Sequence, residues 1–339
     1  MGVSRPVPHA AAAVLAVDAG NSKTDVALIA ADGRVLGTGR AGGFQPPRVG
    51  VEAAVDVVGQ AVAEAVEAAG MAHLAPGGPY AVQVSACLAN ADLPVEELQL
   101  ARAIGARGWG TATEVRNDTF AILRAGLTGA GGPRGVAVVC GAGINCVGML
   151  PDGRTARFPA LGQISGDWGG GGGLAFEAMW WAARAEDGRG GPTALAAALP
   201  GHFGLGSMYA LIEAVHLGTI APGRVHELVP VLFAAAAGGD AVASALVERQ
   251  AEEVVALASV ALDRLGLLGE EAPVLLGGGV LAARHPQLNG RIGELLAERA
   301  PYARLSVVTA PPVLGAGLLG LDAIGAGPEA HGKLRAHFG

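Results

Sequence analysis

The sequence predicts an α/β protein built as two similar halves that face a cleft. Three observations carry that prediction. Apolar runs flank a short glycine turn twice, once around Gly20 and once around Gly141–Gly143. Each pair leads into an Asp-Gly turn, Asp32-Gly33 and Asp152-Gly153, which is a strong hairpin signal. Strand-like and helix-like stretches then alternate in both halves. At 339 residues the chain is also too long for one core, since single cores rarely grow past ~250–300 residues.

The elements follow in order. Val14–Val17, Asp25–Ala30 and Arg34–Thr38 read as three strands, separated by the Gly20 turn and by Asp32-Gly33. Ala and Val recur at three- and four-residue spacing from Val51 to Ala69, a helical period. Tyr80–Leu88 is a buried strand, Val95–Ile104 a helix, Thr113–Arg116 a short strand and Phe120–Ala125 a helix. The order then restarts with strands Val136–Cys140 and Cys146–Leu150. Residues 170–270 are mostly helical, including Leu174–Ala183. Pro273–Leu276 and Leu305–Thr309 are the last strands, with helices at Leu288–Arg299 and Val313–Ile324. The expected divisions are a flexible tail at 1–13, an N-terminal domain at 14–117, a larger C-terminal domain at 118–326 and a second tail at 327–339.

Composition excludes several function classes. A formal charge of −7 offers no basic surface to nucleic acid. Three cysteines cannot form a disulfide framework and fit a reducing, cytoplasmic setting. A long uncharged stretch, Leu305–Leu321, is broken by Pro311-Pro312 and reads as strand, turn and helix rather than a membrane span. Two matches to the dinucleotide fingerprint fail on context. Gly37-x-Gly39-x-x-Gly42 runs into Pro46-Pro47, and Gly315-x-Gly317-x-x-Gly320 lies inside a helix with no acidic residue twenty positions on.

The chemistry-bearing residues cluster at turns. Asp18-Ala-Gly-Asn-Ser-Lys-Thr-Asp25 joins two strands, so its turn gathers backbone N–H groups into an anion-binding nest. Gly20 permits close approach, Asn21, Ser22 and Thr24 add polar side chains, and Lys23 adds charge in a chain with only one other lysine, Lys333. Asp18 is placed to hold a divalent cation against phosphates. Gly141-Ala142-Gly143, with Asn145 beyond it, is a second candidate phosphate loop, although Gly-x-Gly between strands also makes an ordinary turn. Asn117-Asp118 sits where a strand meets a helix; Asp118 either caps that helix or accepts the proton of an attacking hydroxyl. Asp167 is a further carboxylate suited to sugar hydroxyls, in a loop that runs into the glycines 169–173. Those glycines read as backbone passing close to a ligand or another segment. Gly277-Gly278-Gly279 after a buried strand suits a flat adenosine, or is a plain strand-to-helix turn. Cys140 and Cys146 read as buried strand residues.

Taken together, these residues resemble the N-acetylglucosamine kinase branch of the BadF/BadG/BcrA/BcrD-type ATPases, in the actin-like sugar kinase superfamily. The resemblance covers roughly residues 14–326. It implies two ribonuclease H-like domains with a central nucleotide and sugar cleft, ATP with Mg²⁺, a small hexosamine substrate and a homodimer. By resemblance, residues 18–24 are the first phosphate motif, 140–146 the second, Asp118 the catalytic base, 161–169 the sugar loop and 277–280 the adenosine motif. Gln45 is the nearest substitute for the family's sugar-binding Asn near the first domain's mouth, and Asn145 and Asp167 are further sugar contacts. The chain departs from the pattern at Leu161, where the family has Trp, and at Trp168, where it has Glu; Ala142 and Ile144 replace hydroxyl residues. The implied activity is ATP-dependent phosphorylation of N-acetylglucosamine or a close relative such as glucosamine, at O6. Two alternatives stay open at this point: an iron–sulfur ATPase activator and a nucleotide-dependent sugar sensor without catalysis.

Overall fold

The computed structural model describes residues 12–74, 78–128 and 132–339. It opens with β1 (Ala12–Ala19), β2 (Thr24–Ile29), β3 (Val35–Ala41), the single-turn α1 (Pro46–Val49) and α2 (Val51–Ala68). Next come β4 (Ala81–Leu88), α3 (Pro94–Ala106), β5 (Gly110–Asn117) and α4 (Thr119–Gly126). The restart brings β6 (Gly135–Cys140), β7 (Ile144–Met149) and β8 (Thr155–Arg157). A helical stretch follows: α5 (Gly170–Glu186), α6 (Leu195–His202), α7 (Met208–His216), α8 (Leu228–Ala237) and α9 (Ala241–Arg264). The chain closes with β9 (Ala272–Gly277), α10 (Gly278–Ala282), α11 (Pro286–Arg299), β10 (Ala303–Val307), α12 (Pro312–Ala323) and α13 (Pro328–Phe338).

The internal duplication expected from the paired hairpins is present in the sheets. One sheet runs β3-β2-β1-β4-β5 and the other β8-β7-β6-β9-β10, so the two share one topology. In each, an antiparallel three-strand meander is extended by two parallel strands. This is the ribonuclease H-like architecture expected for both halves. Each sheet carries its own apolar core. One is built around Leu15, Leu28, Val58 and Ile104, the other around Val138, Leu174, Val254 and Leu276.

The chain divides into two compact units, and the division differs from the expected one. The first unit comprises the described residues up to Pro133 together with Val308–Gly339; the second is Arg134–Val307. The boundary expected after Asn117 falls between β5 and α4, inside the first unit. The reason lies in α12, in which every residue from Val313 to Leu321 is buried. It packs against β1 and α4, and Gly315 makes that contact possible: a Cβ there would lie 1.8 Å from the Ala121 carbonyl oxygen. Ser85 Oγ donates to the Ala316 carbonyl oxygen at 2.7 Å, tying α12 to β4. The stretch expected as a tail at 327–339 is instead the helix α13, whose Ala330 and Leu334 are buried. Arg335 Nη1 donates to the Ala125 carbonyl oxygen at 2.7 Å and fixes it to the end of α4. Of the N-terminal tail expected at 1–13, residues 1–11 lie outside the described residues, and Ala12 opens β1.

Both rejected dinucleotide matches turn out to be packing devices. Gly37 and Gly39 lie in β3, where a Cβ would meet the Ala65 and Ala61 carbonyl oxygens of α2 at 2.3 and 2.0 Å. No single helix among the described residues is long and apolar enough to cross a membrane.

Candidate active site

In the first unit, the carboxyl ends of three neighbouring parallel strands meet along one edge, where α/β sheets characteristically present their sites. Register aligns Ala19 of β1 with Leu88 of β4, and Leu88 with Asn117 of β5. The loop after β1 and the residues after β5 therefore share that edge. Gly20 N–H donates to the Lys23 carbonyl oxygen at 2.9 Å, closing the turn. Among the described residues, the N–H groups of Asn21, Ser22 and Lys23 have no protein acceptor, which is the arrangement of an anion nest.

The side chains of this loop are more committed than the sequence suggested. Thr24 is fully buried, and its hydroxyl donates to the Gly42 carbonyl oxygen at 2.9 Å, so it braces the loop and has no proton left for a phosphate. Lys23 Nζ and Arg40 Nε both bind the Asp25 carboxylate, each at 2.6 Å. Burial alone would raise Asp25, but its two cations hold its carboxyl below the usual range. Gln45, expected as a sugar contact, donates through Nε2 to the Asn21 carbonyl oxygen at 2.8 Å and accepts from Arg48 at 2.9 Å, so both ends of its amide support the loop. Among the described residues, Ser22 alone keeps an exposed, uncommitted side-chain oxygen in this turn.

Asp18 and Asp118 form the electrostatic centre of this edge. Asp18 is 7% exposed and has no hydrogen-bond or ion-pair partner among the described residues. Burial, then the Asp118 charge, then the Asp25 charge push its carboxyl up to about 8, against the pull of Lys23. Asp118 is half-buried; burial pushes it up to about 6, and hydrogen bonding to Thr119 pulls it partway back. The capping role weighed for Asp118 is filled by its neighbour: Asn117 Oδ1 accepts the Thr119 N–H at 2.9 Å, and the Asp118 side chain makes no cap bond to α4. Asn117 is itself fixed by donating to Asp92 at 2.8 Å.

Two carboxylates and no committed cation make an oxygen-only donor set of the kind Mg²⁺ accepts alongside substrate phosphates. Among the described residues no group of three or more His, Cys, Asp or Glu could hold a metal on protein ligands alone. Asp18 therefore fits a cation that arrives with a polyphosphate. Its isolation has a measurable consequence. The folded-state value of Asp18 lies above the ordinary 3.8, so its contribution to stability is complete below about pH 4 and is lost as pH rises toward about 8. Asp18→Asn removes that loss. The melting midpoint of the variant should exceed that of the parent by a gap that widens from pH 5 to pH 9, reaching about 5 °C. A gap independent of pH would mean that the charged carboxylate has a partner.

Sequence reasoning missed Asn90. It follows β4 on the same edge, adopts φ +61°, and donates to Asn21 Oδ1 at 3.1 Å and the Phe44 carbonyl oxygen at 3.3 Å. Positive φ is uncommon outside glycine, and Asn is among the residues that adopt it most readily. The available signal was an Asn closely following a buried strand.

In the second unit, the corresponding edge holds the other two glycine motifs. Gly141 N–H donates to the Gly143 carbonyl oxygen at 3.0 Å, leaving the N–H groups of Ala142 and Gly143 without acceptors among the described residues. β9 runs parallel beside β6 with Val139 opposite Gly277, so Gly277–Gly279 comes to rest beside Gly141. Gly278 has φ +79°, and a Cβ there would lie 2.3 Å from the Cys140 carbonyl oxygen. The space above Gly279 is open.

The glycines at 169–173 do not form a loop. Four of them make the first turn of α5, which starts four residues earlier than its apolar pattern suggests. Its N-terminal donors are consumed internally: Gly170 N–H by Gln250 Oε1 at 2.9 Å, Gly171 N–H by the Gly141 carbonyl oxygen at 2.8 Å, and Gly172 N–H by that of Ala142 at 2.8 Å. Helix and phosphate loop are thus one hydrogen-bonded body, with the fully buried Gln250 of α9 as its anchor. Asp167 Oδ2 accepts from the Gly162 N–H at 3.1 Å and from the Ser165 hydroxyl, so the carboxylate shapes the loop that carries it. Asn145 Oδ1 accepts the N–H of the adjacent Cys146 at 2.7 Å and folds back on its own strand. Beside Ala142, Gly143 and Asp167 opens a cavity of about 1100 Å³ between the 161–169 loop, α5 and α9. No local pattern signals it, because its walls lie as much as about a hundred residues apart.

Cys87, Cys140 and Cys146 are buried, free thiols on β4, β6 and β7. Burial pushes Cys140 up to about 12 and the other two upward as well. Buried thiols of this kind are inert and cannot share an exposed metal cluster.

Residues 15–320 match the model of the BadF/BadG/BcrA/BcrD ATPase family. The chain belongs to that family. It is 27% identical over 210 residues to the N-acetyl-D-glucosamine kinase of Dictyostelium discoideum, a match that covers 61% of this chain and 65% of that protein. Over 147 residues it is 26% identical to an N-acetylmuramic acid/N-acetylglucosamine kinase of Clostridium acetobutylicum, covering 43% of this chain and 48% of the relative. In both cases the match spans less than two thirds of the relative's length. A solved structure from Chromobacterium violaceum, provisionally named an N-acetylglucosamine kinase, superposes with a TM-score of 0.69 at 24% identity, covering 91% of this chain and 98% of that one. That likeness establishes the fold of this family member.

Proposed function

We propose that the protein is an ATP-dependent sugar kinase that phosphorylates O6 of an amino sugar, N-acetylglucosamine or a close relative such as glucosamine. The observation that carries this reading is the pair of desolvated carboxylates, Asp18 and Asp118, beside a turn with free backbone N–H groups. Membership in an ATPase family and similarity to proteins named as hexosamine kinases support the same chemistry.

Each residue then has a role. Asp118 accepts the proton of the sugar hydroxyl as oxygen attacks the terminal phosphorus. A value of about 6 suits a general base, since the group is ionised at neutral pH yet basic enough to take a proton. The N–H groups of Asn21, Ser22 and Lys23 offer donors to phosphate oxygens, as do those of Ala142 and Gly143. These donors are fixed before substrate arrives, so stabilising charge on the phosphoryl group requires no rearrangement. Asp18 would hold the Mg²⁺ that accompanies the nucleotide, which would supply charge neutralisation to the phosphates. Gly277–Gly279 offers a flat, side-chain-free surface to adenosine. Asp167 and Asn145 remain the candidate sugar contacts in the second unit.

A coupled assay of ADP release across N-acetylglucosamine, glucosamine, N-acetylmannosamine and glucose, with product position read by NMR, tests the proposal. The expected result is turnover on an N-acetylated or free hexosamine, with a phosphate on O6. ADP release that no sugar accelerates would remove the kinase assignment. The pH profile gives an independent check. Asp118 must be ionised to act, so kcat should hold above about pH 6 and fall tenfold per unit below it.

A further inference from the structure

The cavity in the second unit has a chemistry that the proposed reaction leaves unexplained. Its walls include Trp168, Phe176, Trp180 and Trp181, with Ala245 and Arg249 contributed by α9. Phe176 is 60% exposed and Trp180 50% exposed, although both line a concavity rather than a convex surface. Large aromatic side chains left in water forgo the gain of burial, so exposed ones lining a concavity signal an occupant. At about 1100 Å³ the cavity exceeds the ~300–1,000 Å³ of ordinary small-molecule sites. One hexosamine ring would leave most of it empty.

Its polar groups are asymmetric. Trp168 Nε1 donates to Glu177 Oε1 at 3.2 Å, and Asp167 is engaged by its own loop. Arg249 has no such partner. Its guanidinium lies 4.2 Å from the centre of the Trp168 ring, and among the described residues no carboxylate pairs with it. A cation flattened on an indole keeps its in-plane N–H fork available for a planar anion. An aromatic, apolar wall facing one unpaired guanidinium is the recognition pattern for an apolar organic anion.

We infer that this cavity binds an aromatic or acyl group carrying a carboxylate. Two sources share that chemistry: a substituent on the acceptor sugar, which rests on the kinase reading, or a separate effector, which does not. Ala142 and Gly143 form part of the wall, so an occupant of either kind touches a candidate phosphate loop.

Three of the four tryptophans line the cavity, and the fourth, Trp109, is buried in the other unit, so intrinsic fluorescence reports on it directly. The probes are 3-phenylpropanoate and its neutral twin, 3-phenylpropanamide. The expected result is a saturable signal with both and about tenfold tighter binding of the anion. Arg249→Met should abolish the preference while leaving amide affinity unchanged, and Arg249→Lys should retain part of it. Ala245→Phe, at an exposed position, should block both probes without disturbing the core. The inference is overturned by the absence of a saturable signal in the parent protein. It is equally overturned by an anion preference that survives Arg249→Met, or by binding that weakens as protein concentration rises, which would show a second copy filling the space. Steady-state kinetics then assign the source. Competition between phenylpropanoate and sugar indicates a sugar substituent, and altered turnover at saturating sugar indicates an effector. Should no sugar be phosphorylated at all, the fluorescence result still stands or falls alone.

Discussion

Asp118→Asn is expected to lower kcat by about 10³-fold while leaving ATP affinity within about twofold of the parent. The substitution preserves shape and removes only the ability to take a proton. Asn117 already caps α4, so the helix start keeps its cap. The electrostatic effect of the change favours the fold: the variant no longer carries a half-buried charge beside Asp18, whose carboxyl should relax downward because the Asp118 charge is one of the causes that raise it. Residual turnover of the variant should also lose the acid limb near pH 6, because the group that produced it is gone. Measuring single-turnover phosphate transfer and nucleotide binding in parallel separates the outcomes. Undiminished transfer would remove the base assignment, whereas loss of both transfer and nucleotide binding would indicate a collapsed edge.

Gly170→Ala and Gly173→Ala should act in opposite directions despite lying three residues apart. Gly170 has φ +72°, and a Cβ there would lie 2.4 Å from the Gly143 carbonyl carbon. A methyl group at that point forces α5 away from the phosphate loop and breaks the bonds from Gly171 and Gly172 to it. A loss of about 2–4 kcal/mol is expected, with ATP KM raised along with it. At Gly173 nothing lies within 4 Å of an added Cβ. Alanine there simply exchanges a poor helix former for the best one, a gain of about 0.5–1 kcal/mol. Thermal unfolding of the two variants decides whether the glycine run is a contact surface or a compositional accident; equal shifts would favour the accident.

Much of this molecule was legible in the sequence, and the failures have identifiable physical causes. Both hairpins and the central strands were readable because their apolar runs are bounded by Asp-Gly turns. Thr113–Arg116 was recognised too short: β5 begins at Gly110, but it is an edge strand with Thr111 exposed, and half-solvated edges blur the alternation. The start of α5 was hidden because four glycines oppose helix formation locally, and only Gln250 and the 141–143 loop, distant in sequence, supply the acceptors that hold them. The charge of Lys23 was legible but its partner was not, since Asp25 is claimed by Arg40 from the neighbouring strand as well. Asp118 could be proposed from its position at a strand end. Its freedom from capping depended on the orientation of Asn117, which no pattern reveals.

The return of α12 to the first unit has a consequence for how the chain matures on the ribosome. The face of β1 that α12 covers is made early, while Val313–Leu321 is made after the whole second unit has been translated. Co-translational acquisition of structure therefore starts with a half-open sheet, whereas Arg134–Val307, an uninterrupted segment, can reach its native state first. Nascent chains arrested before residue 312 should consequently recruit chaperones through the exposed β1 surface.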